Sequence, residues 1–217
     1  MPRIECSGDD TLRVDIDDGS QREAVAQHLR SFGTWIECVA GMRMVVVQFD
    51  SAKVSVEAAR SRLEQQLSSV PAGTQAASPS IEIPVCYGGE FGPELQSIGE
   101  VLGLTPDALV AMHTSREHIV ELVGFTPGFA YVAGLSEDAN VPRLTEPRQR
   151  VEPGSVGIAG GLTGLYALAG PGGWPLLGRT PLTLFRPEQA QPLLLGVGTR
   201  IRFVAIDEAS YWRMAAQ

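Results

Sequence analysis

Two runs of sequence decide how the chain is read: Gly124-Phe125-Thr126-Pro127-Gly128-Phe129-Ala130-Tyr131 and Pro171-Gly172-Gly173-Trp174-Pro175-Leu176-Leu177-Gly178-Arg179-Thr180-Pro181. The 58 residues from 124 to 181 hold 12 of the 24 glycines and 7 of the 15 prolines. Glycine reaches backbone conformations other residues avoid, and proline fixes φ while removing a donor, so such a segment is either a disordered linker or a set of tightly specified turns. Phe125, Phe129, Tyr131, Ile158, Leu165, Tyr166, Trp174, Leu176 and Leu177 decide for turns, because that much apolar surface is costly to leave in water. The segment is expected to form short strands joined by tight turns, with backbone brought close to a ligand or partner.

Outward from it, periodicity divides the chain. Leu12, Val14 and Ile16 alternate as in a strand; Ser20 and Glu23 have capping-box spacing before a helix to about Phe32, with Val25, Leu29 and Phe32 on one face. Residues 34–39 and 42–49 read as a hairpin, and 54–67 as a helix through Ala59, Leu63 and Leu67. Residues 71–80 carry no apolar anchor and read as a boundary. Then follow a strand at 81–87 whose Pro84 places it near an edge or restricts its pairing, and a helix from Pro93 to Gly103. A second helix runs from Thr105 to near His113, a strand from Ile119 to Val123, closing strands at 182–185 and 200–206, and a terminal helix over 208–215. The fold expected is α+β: an N-terminal sandwich over residues 1–78 and a β-barrel over 79–217.

With 44% hydrophobic residues, no run near the ~20 apolar residues of a membrane span and no apolar leader, the expectation is a cytoplasmic protein with no membrane contact. A net charge of −8 argues against nucleic acid as a partner. Cys6, Cys38 and Cys86 are widely spaced and expected as buried small hydrophobes. Of the 17 basic residues 16 are arginines and only Lys53 is a lysine, so cationic chemistry falls to guanidinium groups, which clamp carboxylates or phosphates in a planar fork. Arg143, Arg148 and Arg179 stand beside prolines or turn residues within the aromatic segment, where an anion site is the functional reading and a salt bridge the structural one. Walker A, dinucleotide, H-E-x-x-H and G-x-S-x-G patterns are missing, and Gly154-Ser155-Val156-Gly157 reads as a turn into a strand. His113 and His118, five apart, do not have metal-pair spacing, and no metal is expected. His113 either satisfies helix-terminal carbonyls or lines a site.

The two opening runs, together with residues 142–161 and the lead-in Ile83 to Pro93, resemble the family of B-type subunits of 5-oxoprolinase, also called allophanate hydrolase subunit 1, which includes a sporulation kinase inhibitor of bacilli. The resemblance implies a small N-terminal α+β domain followed by a cyclophilin-like β-barrel. It implies a partner, a second cyclophilin-like subunit of the C type in 5-oxoprolinase or of the allophanate hydrolase subunit 2 type, and an ATP-dependent complex that opens 5-oxoproline to glutamate. ATP would be a co-substrate of the complex, no cofactor would be held tightly, and the isolated chain would be inactive. In that setting Phe125, Phe129, Tyr131, Arg143, Arg148, Thr163 and Arg179 are the substrate-binding candidates for a small carboxylate or amide, and His113 the proton-transfer group. Where relatives read G-G-Q-T-G-I-Y-P this chain has Gly160-Gly161-Leu162-Thr163-Gly164-Leu165-Tyr166-Ala167, which lacks the glutamine amide. The single lysine also leaves no Ser–Ser–Lys centre for allophanate hydrolysis. The other readings are a carboxyltransferase-like module related to urea carboxylase and a non-catalytic inhibitor of a histidine kinase.

The boundary generates a test. Limited proteolysis is expected to cut first within 71–80 and leave stable fragments of about 8 and 15 kDa, as for two separately folded units. Cleavage mainly inside 124–181 would contradict an ordered reading of that segment.

Overall fold

A computed structural model describes residues 3–17, 19–70, 80–136 and 138–216. The chain divides into two compact units, Met1–Ala77 and Ser78–Gln217. Apart from Ser80, the boundary segment read at 71–80 lies outside the described residues, as does the Ser20 side chain.

The first unit contains β1 (Ile4–Cys6), β2 (Thr11–Asp15), α1 (Gly19–Ser31), β3 (Glu37–Ala40), β4 (Met44–Gln48) and α2 (Val56–Ser68). Its sheet has the order β1-β2-β4-β3, antiparallel throughout. Period-two alternation sends Leu12, Val14, Val45 and Val47 to one face, where Val25, Ala26 and Leu29 of α1 and Ala59 and Leu63 of α2 cover them. Helix α2 starts where Ser55 accepts a hydrogen bond from the Ala58 N–H. Two expectations fail here: α1 starts at Gly19, so Ser20 lies within the helix rather than capping it, and Phe32 is not on its core face. Phe32 follows the last helical residue and is exposed rather than buried, because the core face of α1 closes at Leu29. Strand β1 carries no periodic signal in its three residues and exists through its pairing with Leu12–Val14 of β2.

The second unit begins with β5 (Ile81–Tyr87), α3 (Leu95–Leu102) and α4 (Pro106–Thr114). It continues through β6 (His118–Val123), β7 (Ala130–Ala133), β8 (Arg148–Val151), β9 (Ser155–Ala159), β10 (Leu162–Leu165), β11 (Gly170–Gly172), β12 (Leu176–Arg179), β13 (Arg200–Ile206) and α5 (Glu208–Ala215). Seven strands close a barrel in the order β10-β7-β6-β13-β5-β12-β9, with β9 paired back to β10, and β8 and β11 form a separate ribbon. Among the described strands of this unit only the β5–β13 pair is parallel. The fold is therefore α+β with a closed barrel. Ile83, Val85, Val120, Ala130, Val132, Val156, Leu165, Ile201 and Phe203 fill the barrel interior.

Local signals explain the helix ends. Gly103, at φ 67°, stops α3, and Thr105 caps α4 by accepting from the Ala108 N–H. Helix α3 starts at Leu95, two residues beyond Pro93, with Glu94 at its N-cap. Pro84 does not sit on an edge strand: β5 lies between β12 and β13, but its ladder with β12 covers only Cys86 and Tyr87. A missing N–H is tolerated where pairing runs along one side. Residues 182–185 are not a strand. One isolated bridge joins Phe185 to Leu193, and Leu184 and Leu195 are buried in the barrel core from a loop. Their apolar pattern records burial at the barrel rather than a ladder. Of the cysteines, Cys38 and Cys86 are buried, with burial raising both thiols, that of Cys38 to about 11; Cys6 is exposed, against expectation.

Candidate functional site

The candidate site grows from an alternation on the barrel wall. Because Ala130, Val132, Val156 and Leu165 face the interior, their neighbours Tyr131, Gly157 and Gly164 face outward. Across the sheet these form a row, Tyr131 opposite Gly164, Gly164 opposite Gly157, and Gly157 opposite Leu176. Two adjacent glycines leave a trough, and Trp174 lies in it. A methyl group at Gly164 would stand 2.9 Å from Trp174 Cε3 and from Phe129 Cζ; one at Gly157 would stand 3.0 Å from Trp174 Cβ. Phe129 is the hub of the cluster, meeting Tyr131 at 4.8 Å, Tyr166 at 4.9 Å, Phe125 at 5.7 Å and Trp174 at 6.0 Å between ring centres, all edge to face. Such contacts add about 0.5–1.5 kcal/mol each beyond area burial.

Polar groups surround these rings. The exposed Arg143 holds its guanidinium carbon 5.8 Å from the Trp174 ring centre, on a loop tied down where the Leu144 N–H donates to the Gly173 carbonyl at 2.7 Å. Arg148 forms an ion pair with Glu94, whose other carboxylate oxygen accepts the Leu176 N–H at 2.9 Å. Glu94 is placed by a close approach of backbone to backbone. Gly92 passes Leu177 so closely that a methyl group there would lie 1.9 Å from the carbonyl oxygen. The Tyr166 hydroxyl packs against Gly172, where an added methyl would be 2.6 Å away, and Gly172 stands opposite Arg148 in the β8–β11 ribbon. Burial raises the Tyr166 phenol pKa, opposed by the Trp174 backbone N–H and by the charges of Arg143 and Arg148. Phe125 is 68% exposed and is the non-glycine residue at positive φ, 78°, among those described. Such a conformation costs roughly 1–3 kcal/mol in a bulky residue. Phe125 lines a cavity of about 440 Å³ with Val123, Pro127, Phe185 and Leu193.

Thus Phe125, Phe129, Tyr131 and Arg143 connect through the Phe129–Trp174 rings, and Arg148 lies opposite Gly172, on which Tyr166 packs. Arg179, Thr163 and His113 do not join them. Arg179 lies opposite Cys86 with its guanidinium 5.7 Å over Phe91, in the cluster that Tyr211 of α5 covers. Thr163 is fully buried, with its hydroxyl 3.0 Å from His113 Nε2. His113 is 0% exposed; its Nδ1 meets the Tyr87 hydroxyl at 2.6 Å and its ring stacks on Phe203 at 4.1 Å. His118 Nε2 donates to the His113 carbonyl at 2.9 Å. Burial first, and then the neighbouring His118, lower the His113 pKa to about 3. A group so enclosed is neutral near pH 7 and is not poised to exchange protons with a substrate; it fastens α4 to β5 and β10. Glu94, Trp174 and Tyr166 join the site without a sequence signal of their own. Tyr166 and Trp174 read only as apolar surface, and Glu94 only as part of a helix start.

A second cavity of about 770 Å³ lies in the first unit, with Ile16, Val25 and Leu67 in its wall and Asp15, Asp17 and Glu64 among its polar lining. It contains none of the candidate site residues. Among the described residues no group of three or more His, Cys, Asp or Glu is arranged to hold a metal ion, and no helix is long and apolar enough to cross a membrane.

The described architecture matches known proteins. Residues 2–195 fit the family described as carboxyltransferase domain, subdomain C and D, and the chain belongs to this family. Within it the chain is similar to the B-type subunit of 5-oxoprolinase from Escherichia coli O157:H7, at 41% identity over 85% of this chain and 84% of that one. It is similar also to the B-type 5-oxoprolinase subunit of Bacillus subtilis, at 38% identity over 83% and 79%. A solved structure, the conserved uncharacterized protein PH0987 from Pyrococcus horikoshii, is 34% identical with a TM-score of 0.61, covering 97% of this chain and 100% of that one.

The buried histidine sets a pH dependence. The folded pKa of His113 lies below the unfolded value of about 6.5, so the unfolded chain takes up the proton first. Its contribution to stability is present above pH ~6.5 and is lost as pH falls toward 3. Urea unfolding of the wild type should lose stability between about pH 7.5 and about pH 4.5, and His113→Gln should lose less. Identical pH slopes in both proteins would show that His113 is not held neutral.

Proposed function

We propose that the chain is one subunit of a 5-oxoprolinase-type hydrolase complex, which opens 5-oxoproline to glutamate with ATP. The observation that carries this reading is the 38–41% identity, across about four-fifths of both chains, to proteins named as B-type subunits of 5-oxoprolinase. That name points to further subunits, and the partner proposed is a second cyclophilin-like subunit. The site geometry supports a shared task. The face built on Trp174 presents an exposed guanidinium and aromatic walls, suited to hold a small carboxylate, while the one histidine expected to move protons is sealed inside the barrel. The role proposed for this chain is therefore to bind and orient, with proton transfer and ATP chemistry at the partner or at a site completed by it. Lys53, the sole lysine, pairs with Asp50 in the first unit, so the second unit holds no lysine to cradle phosphates.

A second reading, a module that handles a carboxyl group as in carboxyltransferases, is favoured by the family description itself. It uses the same oxyanion-holding face and differs in the donor. Co-purification of the chain with the product of its adjacent gene, followed by an assay of ATP hydrolysis, separates them. The complex is expected to hydrolyse ATP only when 5-oxoproline is added, and the isolated chain to show no turnover. Full turnover by the isolated chain would sink the subunit reading, and activity dependent on carboxybiotin would replace the hydrolase with the carboxyltransferase.

A further inference from the structure

We infer that Arg143 and Arg148 form a two-guanidinium clamp for a single oxyanion, seated at the Tyr166 hydroxyl beside the β8–β11 ribbon. The inference rests on the subunit reading above for its biological substrate, and adds to it the atoms that grip the ligand and the group that they grip.

The first observation is an orphan. Arg148 Nη1 is buried and has no hydrogen-bond partner among the described residues, although Nη2 of the same guanidinium is paired with Glu94. A buried cationic donor left unpaired is costly, and native proteins rarely keep one without water or a ligand to meet it. Glu94 cannot turn to cover both nitrogens, because its second oxygen is fixed by the Leu176 N–H at 2.9 Å. The second observation is Arg143. Its guanidinium lies over the Trp174 ring, 5.8 Å from the centre, which holds it in place. A preorganised cation loses little freedom on binding.

The third observation joins the two. Arg148 stands opposite Gly172 in the ribbon, the Tyr166 hydroxyl packs against Gly172, and the Leu144 N–H next to Arg143 donates to the carbonyl of the adjoining Gly173 at 2.7 Å. With Glu94 offsetting one positive charge, the pair of arginines retains a net charge of about +1, which matches one carboxylate. The phenol, kept protonated by burial, adds an O–H donor beside the same anion. Arg179 is not part of the clamp, since it lies over Phe91.

An oxyanion here has two possible sources, a substrate carboxylate or a nucleotide phosphate, and the test distinguishes them. The full chain, alone and assembled with its partner subunit, is titrated calorimetrically with 5-oxoproline, inorganic phosphate and the uncharged lactam 2-pyrrolidone. One oxyanion should bind and 2-pyrrolidone should not. Binding of 5-oxoproline marks the substrate carboxylate, and binding of phosphate alone marks the nucleotide. Arg143→Ala, an exposed position that the fold does not need, and Arg148→Lys should each weaken binding about tenfold to a hundredfold, the size of a lost charge-assisted hydrogen bond. In the working complex the same changes should raise KM. The clamp is overturned if no oxyanion binds in either form, or if affinity and KM are the same in Arg143→Ala and wild type. Turnover of 5-oxoproline with unaltered KM in Arg143→Ala removes the clamp and keeps the subunit reading. Oxyanion binding that depends on Arg143, without 5-oxoproline turnover by the complex, does the reverse.

Discussion

The contact on which the second unit depends is that of the Trp174 indole with the bare backbone at Gly157 and Gly164. The two residues are neighbours across β9 and β10, so their missing side chains make one trough rather than two separate gaps. Trp174 fills it, Phe129 closes it from the side, and Arg143 rests on the ring. From that seat the chain leads directly into β12 through Pro175, and β12 in turn holds Glu94 by the Leu176 N–H and packs its backbone against Gly92. The position of Arg148 follows from Glu94. A single packing choice on the outer wall thereby orders the groups that the candidate site uses.

How much of this is legible in the sequence depends on how each feature is encoded. Alternating Leu12 and Val14, the capping Thr105 with Pro106, and Gly103 after the last turn of α3 are local signals, and they appear where expected. The density of glycine and proline from 124 to 181 marks ordered turns, but cannot show that Gly157 and Gly164 face one another, since strand register is a property of the closed barrel. Leu184 and Leu195 mislead for a related reason: residues that plug a core from a loop have the same composition as a short strand. Of the candidate residues, Arg143 and Arg148 stand out because a proline precedes each, and Phe125, Phe129 and Tyr131 because they are aromatic within a glycine- and proline-rich run. Glu94 is not, because its role comes from Arg148, 54 residues away in the chain.

The polar residues divide by the dielectric that surrounds them. Inside the barrel, His113, Tyr87 and Thr163 satisfy one another, and desolvation holds the histidine neutral and the phenol protonated. Such a network specifies how α4 meets the strands. Outside, under partial solvent exposure, arginines keep their charge, and the question becomes which nitrogens are already bonded. Arg148 answers it in two ways at once, with one nitrogen committed to Glu94 and the other unmet among the described residues. The ion pair is the structural half of the choice that its sequence neighbourhood poses, and the unmet nitrogen is what the proposed anion site would use.

Gly164→Ala tests the central claim most directly. A methyl group there would meet Trp174 and Phe129 at 2.9 Å, a distance that forces the indole to move. Overpacking of this kind costs about 1–3 kcal/mol, a fall in melting temperature of roughly 3–10 °C for a unit of this size. The account predicts that fall together with a changed Trp fluorescence spectrum. A Gly164→Ala protein that melts with the wild type and keeps its spectrum would show that the trough does not hold Trp174.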